Sequence, residues 1–509
     1  MYVYEAPRLS PPQSLTEEKV VSVSLPTWEA NVAYEEGAEW LAKKMQCGYP
    51  RFFVHPIIQN LAREILHHHG DIETESSTLF PSPKAAHICS SFLLSRISPE
   101  ESSKVRIVNF IPSSSTEAES PAVTSNLSCV IYPKEYAPIA KQVWQHSGTG
   151  VSSRRGEFCL RALEDNFLVE ENRQAMADAA AQRPCKGPRR YQSKGSISGL
   201  PRGAGSHAAT PNSSELNGTQ DGREYAQFIE ERFGRNLSTS LADQAKLAVR
   251  RRIAGVMTAD VELSEALEKT SAEGRVAGLT EDDVYLFPTG MSSIFNTHQI
   301  IMAARGDTMK SICFGFPYID TLKVLEKWGP GCLFYGHGSS EDIDNLEARL
   351  VNGERFLALF TEVPGNPLLK TPDLKRLRTL ADKYRFLIVV DETVGNFLNI
   401  NVLPYADVVV SSLTKVFSGD SNVMGGSAVI NPHGLFYQDL KEAFNKEYED
   451  DFWAEDAVFL ERNSRDFVSR IEKINKTTED ITAMLKESPL GKSRPWATLQ
   501  GCLSIDLGL

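Results

Sequence analysis

From Gly278 onward the chain alternates short apolar runs with stretches of helical periodicity. Val284–Phe287, Ile312–Phe314, Cys332–Tyr335, Phe356–Phe360, Phe386–Val390 and Val408–Ser412 read as strands. Between them, apolar residues recur at three- and four-residue spacing, which predicts helices over Ser292–Ala304, Ile319–Trp328, Ile343–Leu350 and Asp373–Tyr384. A further helix is predicted from Leu241 to Met257, with helical sequence leading on to Gly278. Strand–helix alternation of this kind implies an α/β fold, with a mainly parallel sheet covered by helices on both faces.

Upstream the pattern is less regular. Residues 20–175 read as globular, and Pro56 to Leu66 predicts a helix ending in His67-His68-His69. A histidine triplet at a helix end caps the last carbonyls more readily than it binds metal. Pro112 to Asn126, rich in Ser, Pro and Glu, reads as a loop. Arg183 to Gly222 has almost no large apolar residues and is expected to be a linker or disordered insertion. Its basic start, Lys186 to Lys194, reads as a solvated run rather than a nucleic-acid contact.

Composition narrows the function classes. The chain has 509 residues, room for about three domains, and a formal net charge of -12 that argues against broad nucleic-acid binding. An anionic ligand is still admissible, since it needs only local donors. The eight cysteines are scattered without a CxxC pair, which favours reduced thiols in a cytoplasmic setting over disulfides or zinc. The N-terminus lacks a signal-peptide pattern, and no run approaches the ~18 apolar residues of a membrane span. A soluble protein without metal is expected.

Candidate chemistry gathers between residues 391 and 426. One predicted strand stops at Asp391; another delivers Ser412, Thr414 and Lys415 onto the loop that follows. Ligands gather beyond the carboxyl ends of strands in open parallel sheets, so both could face one small molecule. Pyridoxal 5'-phosphate (PLP) suits the set: the lysine forms the Schiff base, the acid keeps the pyridine nitrogen protonated and the hydroxyls hold the phosphate. A strand ending in a capping Asp, followed by a solvated Lys, is the plainer reading. PTGMSS (Pro288–Ser293) joins a strand to a helix, so the N–H groups of Gly290 and Met291 could meet an anion. Tyr318 in FGFPYIDT has a face that could stack on a flat ring, or pack half-buried. Asn366 in TEVPGNPLL could donate to a ring oxygen, or simply serve a turn.

These stretches carry a resemblance. LFPTGMSSIFN (286–296), CFGFPYIDTLKVLEKWGPGCLFYGHG (313–338), EVPGNPLL (362–369), VDET (390–393) and SSLTKVFSGDSNVMGG (411–426), together with FIEERFGRNL (228–237) and AVRRRIAG (248–255), closely resemble the Cys/Met-metabolism class of fold-type I PLP enzymes. The likeness runs from Tyr225 to about Ser488 and is strongest to the fungal cystathionine gamma-synthases. SLPTWEANVAYEEG (24–37), GYPRFF (48–53) and KQVWQHSGTGVSSRRGEFC (141–159) resemble the extra N-terminal region of the fungal enzymes.

The resemblance implies a role for each matching residue. Lys415 would be the Schiff-base lysine and the general acid/base. Asp391 would pair with the pyridine N–H, and Tyr318 would stack on the ring and is a candidate proton carrier. Gly290, Met291, Ser412 and Thr414 would cradle the phosphate, Asn366 would contact the ring hydroxyl, and Arg232 would reach the phosphate of a neighbouring subunit. That sharing implies at least a homodimer, commonly a homotetramer in the family. The implied reaction is gamma-replacement on an O-acylhomoserine by cysteine, giving cystathionine. Sulfhydrylation, lyase chemistry and a non-catalytic paralogue are the alternatives.

Three departures from the family pattern stand out. Glu230 occupies the place of a tyrosine two residues before Arg232, with the hydroxyl-free Phe228 nearby. Gly419-Asp420-Ser421-Asn422 replaces GHSD, a change the fungal subgroup shares. After Lys486 only Gly501–Ile505 resembles the start of the family's small C-terminal domain, which carries the arginine for the substrate carboxylate. The expected organisation is therefore an N-terminal region (1–182), a linker (183–222), a PLP domain with a seven-stranded-type sheet (223–485) and a shortened C-terminal remnant (486–509).

Overall fold

The computed structural model of the chain describes residues 27–36, 38–42, 45, 48–113, 125–172, 239–255, 260, 263–268, 274–306 and 308–487. The expected linker 183–222, Arg232, Glu230, Phe228 and residues 488–509 lie outside these.

Two short helices, α1 (Trp28–Glu35) and α2 (Glu39–Ala42), come first. There follow α3 (Pro56–His69), β1 (Glu75–Phe80), α4 (Pro83–Leu94), β2 (Arg106–Pro112), β3 (Leu127–Pro133), α5 (Ala137–Ser147), α6 (Ser153–Glu164) and β4 (Leu168–Glu170). The four strands form an antiparallel sheet in the order β1-β3-β2-β4. His67, His68 and His69 form the last turn of α3, where the carbonyl of His69 accepts a hydrogen bond from Arg106 Nη2 at 2.6 Å.

The second unit runs through α7 (Thr239–Ala254), α8 (Leu263–Glu268), β5 (Val284–Phe287), α9 (Gly290–Arg305), β6 (Ser311–Phe314), α10 (Ile319–Lys327), β7 (Cys332–Tyr335), α11 (Ser340–Val351) and β8 (Ala358–Glu362). It continues with α12 (Leu374–Tyr384), β9 (Leu387–Asp391), β10 (Val408–Ser412), β11 (Gly426–Ile430), α13 (Tyr437–Glu447), α14 (Ala454–Asn463) and α15 (Phe467–Glu487). Seven strands make one sheet in the order β5-β11-β10-β9-β8-β6-β7, parallel except for β11, which runs antiparallel to β10 and β5.

Alternation along each strand sorts side chains to opposite faces. Ile388 and Val390 pack with Ile343, Leu346 and Leu377 of α11 and α12, whereas Leu387 and Val389 pack with Ile294, Phe295 and Leu325 of α9 and α10. Both faces are covered, so the strands read as unbroken apolar runs.

Two departures from the sequence pattern have physical causes. The fourth predicted strand, β8, occupies Ala358–Glu362 rather than Phe356–Phe360, because pairing with β9 continues to Glu362 opposite Asp391, where the sheet end opens into a cleft. Strand β11 was not expected: GSAVI has only three consecutive apolar residues, and of its two antiparallel partners one, β5, comes from distant sequence.

The N-terminal unit seats against the start of α9 and against α14. Arg154 and Arg155 of α6 are both buried. Arg154 Nη1 donates to Asp456 Oδ1 and to the Asn422 carbonyl, each at 3.0 Å. Arg155 Nη2 donates to the carbonyls of Pro81 (2.7 Å) and Asn126 (2.8 Å). Thr289 Oγ1 donates to the carbonyl of Gly148 at 3.1 Å, and Gly148, at φ 62°, sits so close that a Cβ there would strike that hydroxyl.

Candidate active site

Strands β8, β9 and β10 are parallel neighbours, so Glu362, Asp391 and Ser412 emerge together at their carboxyl ends. One small residue ties two of these ends. Thr393 donates its N–H (2.9 Å) and its hydroxyl (2.6 Å) to Asp391 Oδ1, and its hydroxyl oxygen accepts from Ser412 N at 2.8 Å. Both hydrogen bonds to the Asp391 carboxylate among the described residues fall on Oδ1, which leaves Oδ2 for the cleft. Burial raises the Asp391 pKa, with the Thr393 hydrogen bonds and the Lys415 charge pulling the other way.

Helix α9 opens onto the same floor. Thr289 is its N-cap: Thr289 Oγ1 accepts from Ser292 N (2.9 Å) and Ser292 Oγ accepts from Thr289 N (2.9 Å), a reciprocal capping box. Gly290 and Met291 are thus the first two helical residues, at the end where backbone N–H groups lack intrahelical partners and the dipole favours an anion. Gly290 is required by contact: a Cβ there would lie 2.6 Å from Ser412 Cβ and 2.9 Å from its Cα.

Lys415 lies three residues beyond β10, exposed to the cleft, with Nζ 4.7 Å from the centre of the Tyr49 ring. Tyr318, at the N-cap of α10, is 39% exposed, and its hydroxyl accepts from Arg51 Nη2 at 2.8 Å. Burial pushes the Tyr318 phenol up, against the pull of the Arg51 charge. Glu362 is buried and accepts backbone N–H groups from Tyr318 (3.0 Å) and Asn366 (3.1 Å). It therefore joins two loops that both border the site. Burial first, and the neighbouring Asp391 charge second, raise its pKa to about 7.

These side chains line one cleft of ≈ 940 Å³, which Phe52 and residues of α15 (Ile474, Asn475, Thr478) also border. Gly290, Met291, Tyr318, Asn366, Asp391, Ser412 and Lys415 all face it. Thr414 does not. Its hydroxyl is buried against Gly425, accepting from Gly425 N at 3.2 Å and donating to Gly425 O at 3.3 Å. The donor set fits PLP: a glycine-floored helix start beside the Ser412 hydroxyl suits a phosphate, a half-buried carboxylate with one free oxygen suits a protonated ring nitrogen, and the Lys415 amine lines the same cleft. No metal is needed for such a set.

Four further residues line the cleft beyond those that the sequence motifs single out. Thr393 carried a local signal, since an Asp two residues before a Thr favours this Asx-type turn. Glu362 was visible only as a strand-end acid. Tyr49 and Arg51 had none, because they lie more than 260 residues from Tyr318 and Lys415 and arrive only by tertiary packing.

Comparison with known proteins agrees with this geometry. Residues 57–152 match the fungal trans-sulfuration enzyme N-terminal domain, and residues 264–505 match the Cys/Met metabolism PLP-dependent enzyme family. A Neurospora crassa protein named cystathionine gamma-synthase is 48% identical over 93% of this chain and 79% of its own. The cystathionine gamma-synthase-like enzyme iboG2 of Amanita muscaria is 40% identical over 92% of this chain and 73% of its own. A protein of Aspergillus violaceofuscus named alanine racemase ungC is 34% identical over 91% and 72%. Among solved structures, metB from Corynebacterium glutamicum is similar with a TM-score of 0.33 and 19% identity, over 44% of this chain and 56% of that one. No helix among the described residues is long and apolar enough to cross a membrane. With its α/β sheet, its cleft at the parallel strand ends and these close relatives, the chain belongs to the Cys/Met metabolism PLP-dependent enzyme family.

Proposed function

We propose that the protein carries out gamma-replacement on an O-acyl-L-homoserine by L-cysteine, forming L-cystathionine. The observation that carries this reading is the convergence of Lys415, Asp391 and the start of α9 on one cleft, in a chain 48% identical to a named cystathionine gamma-synthase. Bound PLP supplies a sink for the charge that develops on the substrate's carbons.

The chain's own residues do the rest. Lys415 would hold the cofactor through Nζ and would serve as the group that moves protons between neighbouring substrate carbons, for which the amine must be neutral. Asp391, fixed through Oδ1 by Thr393, would offer Oδ2 to the ring nitrogen and favour its protonated form. Gly290, Met291 and Ser412 hold the phosphate through N–H and hydroxyl donors. Thr414 supports that floor from beneath through Gly425. Tyr318 would offer its ring face and its hydroxyl proton, and Asn366, which lines the same cleft, would contact the ring hydroxyl. Arg232 is read as the donor to a neighbouring subunit, so a homodimer or homotetramer is the expected assembly. The five free cysteines among the described residues fit a reducing, cytoplasmic setting.

The test is direct. Purified protein saturated with PLP is given O-acetyl- or O-succinylhomoserine with cysteine, with sulfide or with no nucleophile, and products are identified by mass spectrometry. Cystathionine formed only with cysteine supports the proposal; homocysteine, or a keto acid without nucleophile, reassigns the chain to sulfhydrylation or elimination. A second reading, exchange of the alpha proton alone, is favoured by the relative named alanine racemase. Solvent deuterium entering alanine without gamma chemistry would select it.

A further inference from the structure

Residues 48–53 lie outside both family-matched spans, which begin at 57 and 264, yet they place a cation beside the site. Arg51 is 4% exposed and both terminal nitrogens of its guanidinium are engaged. Nη1 donates to Asp320 Oδ2 at 2.9 Å and to the Gln145 carbonyl at 2.7 Å, while Nη2 donates to Tyr318 Oη at 2.8 Å. Asp320 is equally buried and lies in the first turn of α10, two residues beyond Tyr318. One planar fork therefore grips both the phenol and the carboxylate that start this helix.

We propose that Arg51 is a positioning residue for the reaction, fixing the Tyr318 ring over the cleft and setting the direction of its hydroxyl proton. The proposal rests on the reading of Tyr318 as a cofactor-facing group. The direction follows from donor and acceptor counts. A guanidinium has no acceptor and a phenol has one hydrogen, so Tyr318 Oη accepts from Arg51 and its O–H is left for a different acceptor. The N-terminal segment thereby acts on the chemistry instead of only packing beside it.

The groups facing Tyr318 are few. Arg51 and Tyr49 come from the N-terminal segment, Asp320 from its own helix, and Glu362 of β8 accepts its backbone N–H. Lys415 approaches Tyr49 from the loop after β10. His146 of α5 stands 3.9 Å from Asp320, and burial brings its pKa down to about 4, so it adds no charge near neutrality. Arg51 is the one cation that touches the phenol among these, and it opposes the upward push of burial.

The experiment compares full-length wild type, Arg51→Met, Tyr318→Phe and the double variant, before and after loading with PLP. Tyrosinate absorbance followed against pH should show one ionisation moving to higher pH in Arg51→Met, and that moving ionisation should be missing from the double variant. In turnover, each single variant should lower kcat, and the double should be no worse than Tyr318→Phe, a departure from multiplicative behaviour of about 5- to 100-fold. Coincident titrations, or effects that simply multiply, overturn the proposal. If Tyr318→Phe turns over at the wild-type rate, the functional reading of Tyr318 fails and the proposal fails with it, a result distinguishable because only then is the single variant silent. Should Arg51→Met not fold, Arg51→Lys, which keeps the charge and loses the fork, should give the same two signatures at smaller amplitude; their absence overturns the proposal equally.

Discussion

Gly290→Ala isolates the contact on which the floor of the cleft depends. The added methyl would lie 2.6 Å from Ser412 Cβ and 2.9 Å from its Cα, whereas carbon atoms rest at about 3.5–4.0 Å. About 1 Å must be found. Ser412 cannot easily supply it, since its N–H is held by Thr393 and its strand is clamped between β9 and β11. The other side is no freer. Thr289 is bonded to Gly148, and Gly426 packs so tightly on the Thr289 carbonyl that it too admits no side chain. Overpacking of this kind costs about 1–3 kcal/mol, and the better helix propensity of alanine returns at most about 1 kcal/mol. Retreat of α9 would also part the Gly290 and Met291 N–H groups from the Ser412 hydroxyl. Losing one or two charge-assisted hydrogen bonds corresponds to roughly a 10- to 100-fold weaker hold on the cofactor. The assay is PLP titration of apoprotein by absorbance, with urea unfolding of the same samples. Gly278→Ala is the control: its φ is 78° and nothing lies within 4 Å of a Cβ there, so it should lose about 1 kcal/mol of stability through backbone strain and keep cofactor affinity. Wild-type affinity and stability in Gly290→Ala would refute the reasoning.

Further outcomes follow from the same geometry. Lys415→Ala should lose the visible absorbance band of the PLP-loaded protein and all turnover, and borohydride should label the wild type at the peptide containing Lys415; a retained band and label would remove the lysine from its role. Glu362, with its folded pKa raised from 4.5 to about 7, favours the folded apoprotein at low pH, and that contribution is lost as pH rises between these values. Glu362→Gln should therefore flatten the pH dependence of unfolding free energy by up to about 3 kcal/mol between about pH 4.5 and 7, measured by urea denaturation; an unchanged slope contradicts it. Arg275 meets Glu392 at 2.7 Å with side chains 7% and 0% exposed, so Arg275→Met strands a buried carboxylate and should cost about 3–5 kcal/mol. Adding Glu392→Leu should recover most of that loss in the same denaturation series.

The fold class and the core of the site were legible in the chain because the signals were local. Apolar runs at regular spacing gave six of the strands, and a strand that stops at Asp391 or delivers Lys415 declares its carboxyl end. Because parallel strands carry their carboxyl ends to one side, the sequence pattern alone puts Asp391 and Lys415 at one end of the sheet. Tertiary structure decided what distance along the chain conceals. Pairing across the sheet carried β8 on to Glu362 and recruited β11 as an antiparallel strand, neither of which its own few residues specify. It turned the Thr414 hydroxyl inward to Gly425, although its spacing from Lys415 equally suits a phosphate ligand. It also brought Tyr49 and Arg51 across more than 260 residues to Lys415 and Tyr318. Periodicity records which face of an element is buried, but not which distant segment buries it; that choice is made by packing between units, and here it places an arginine on the tyrosine of the active site.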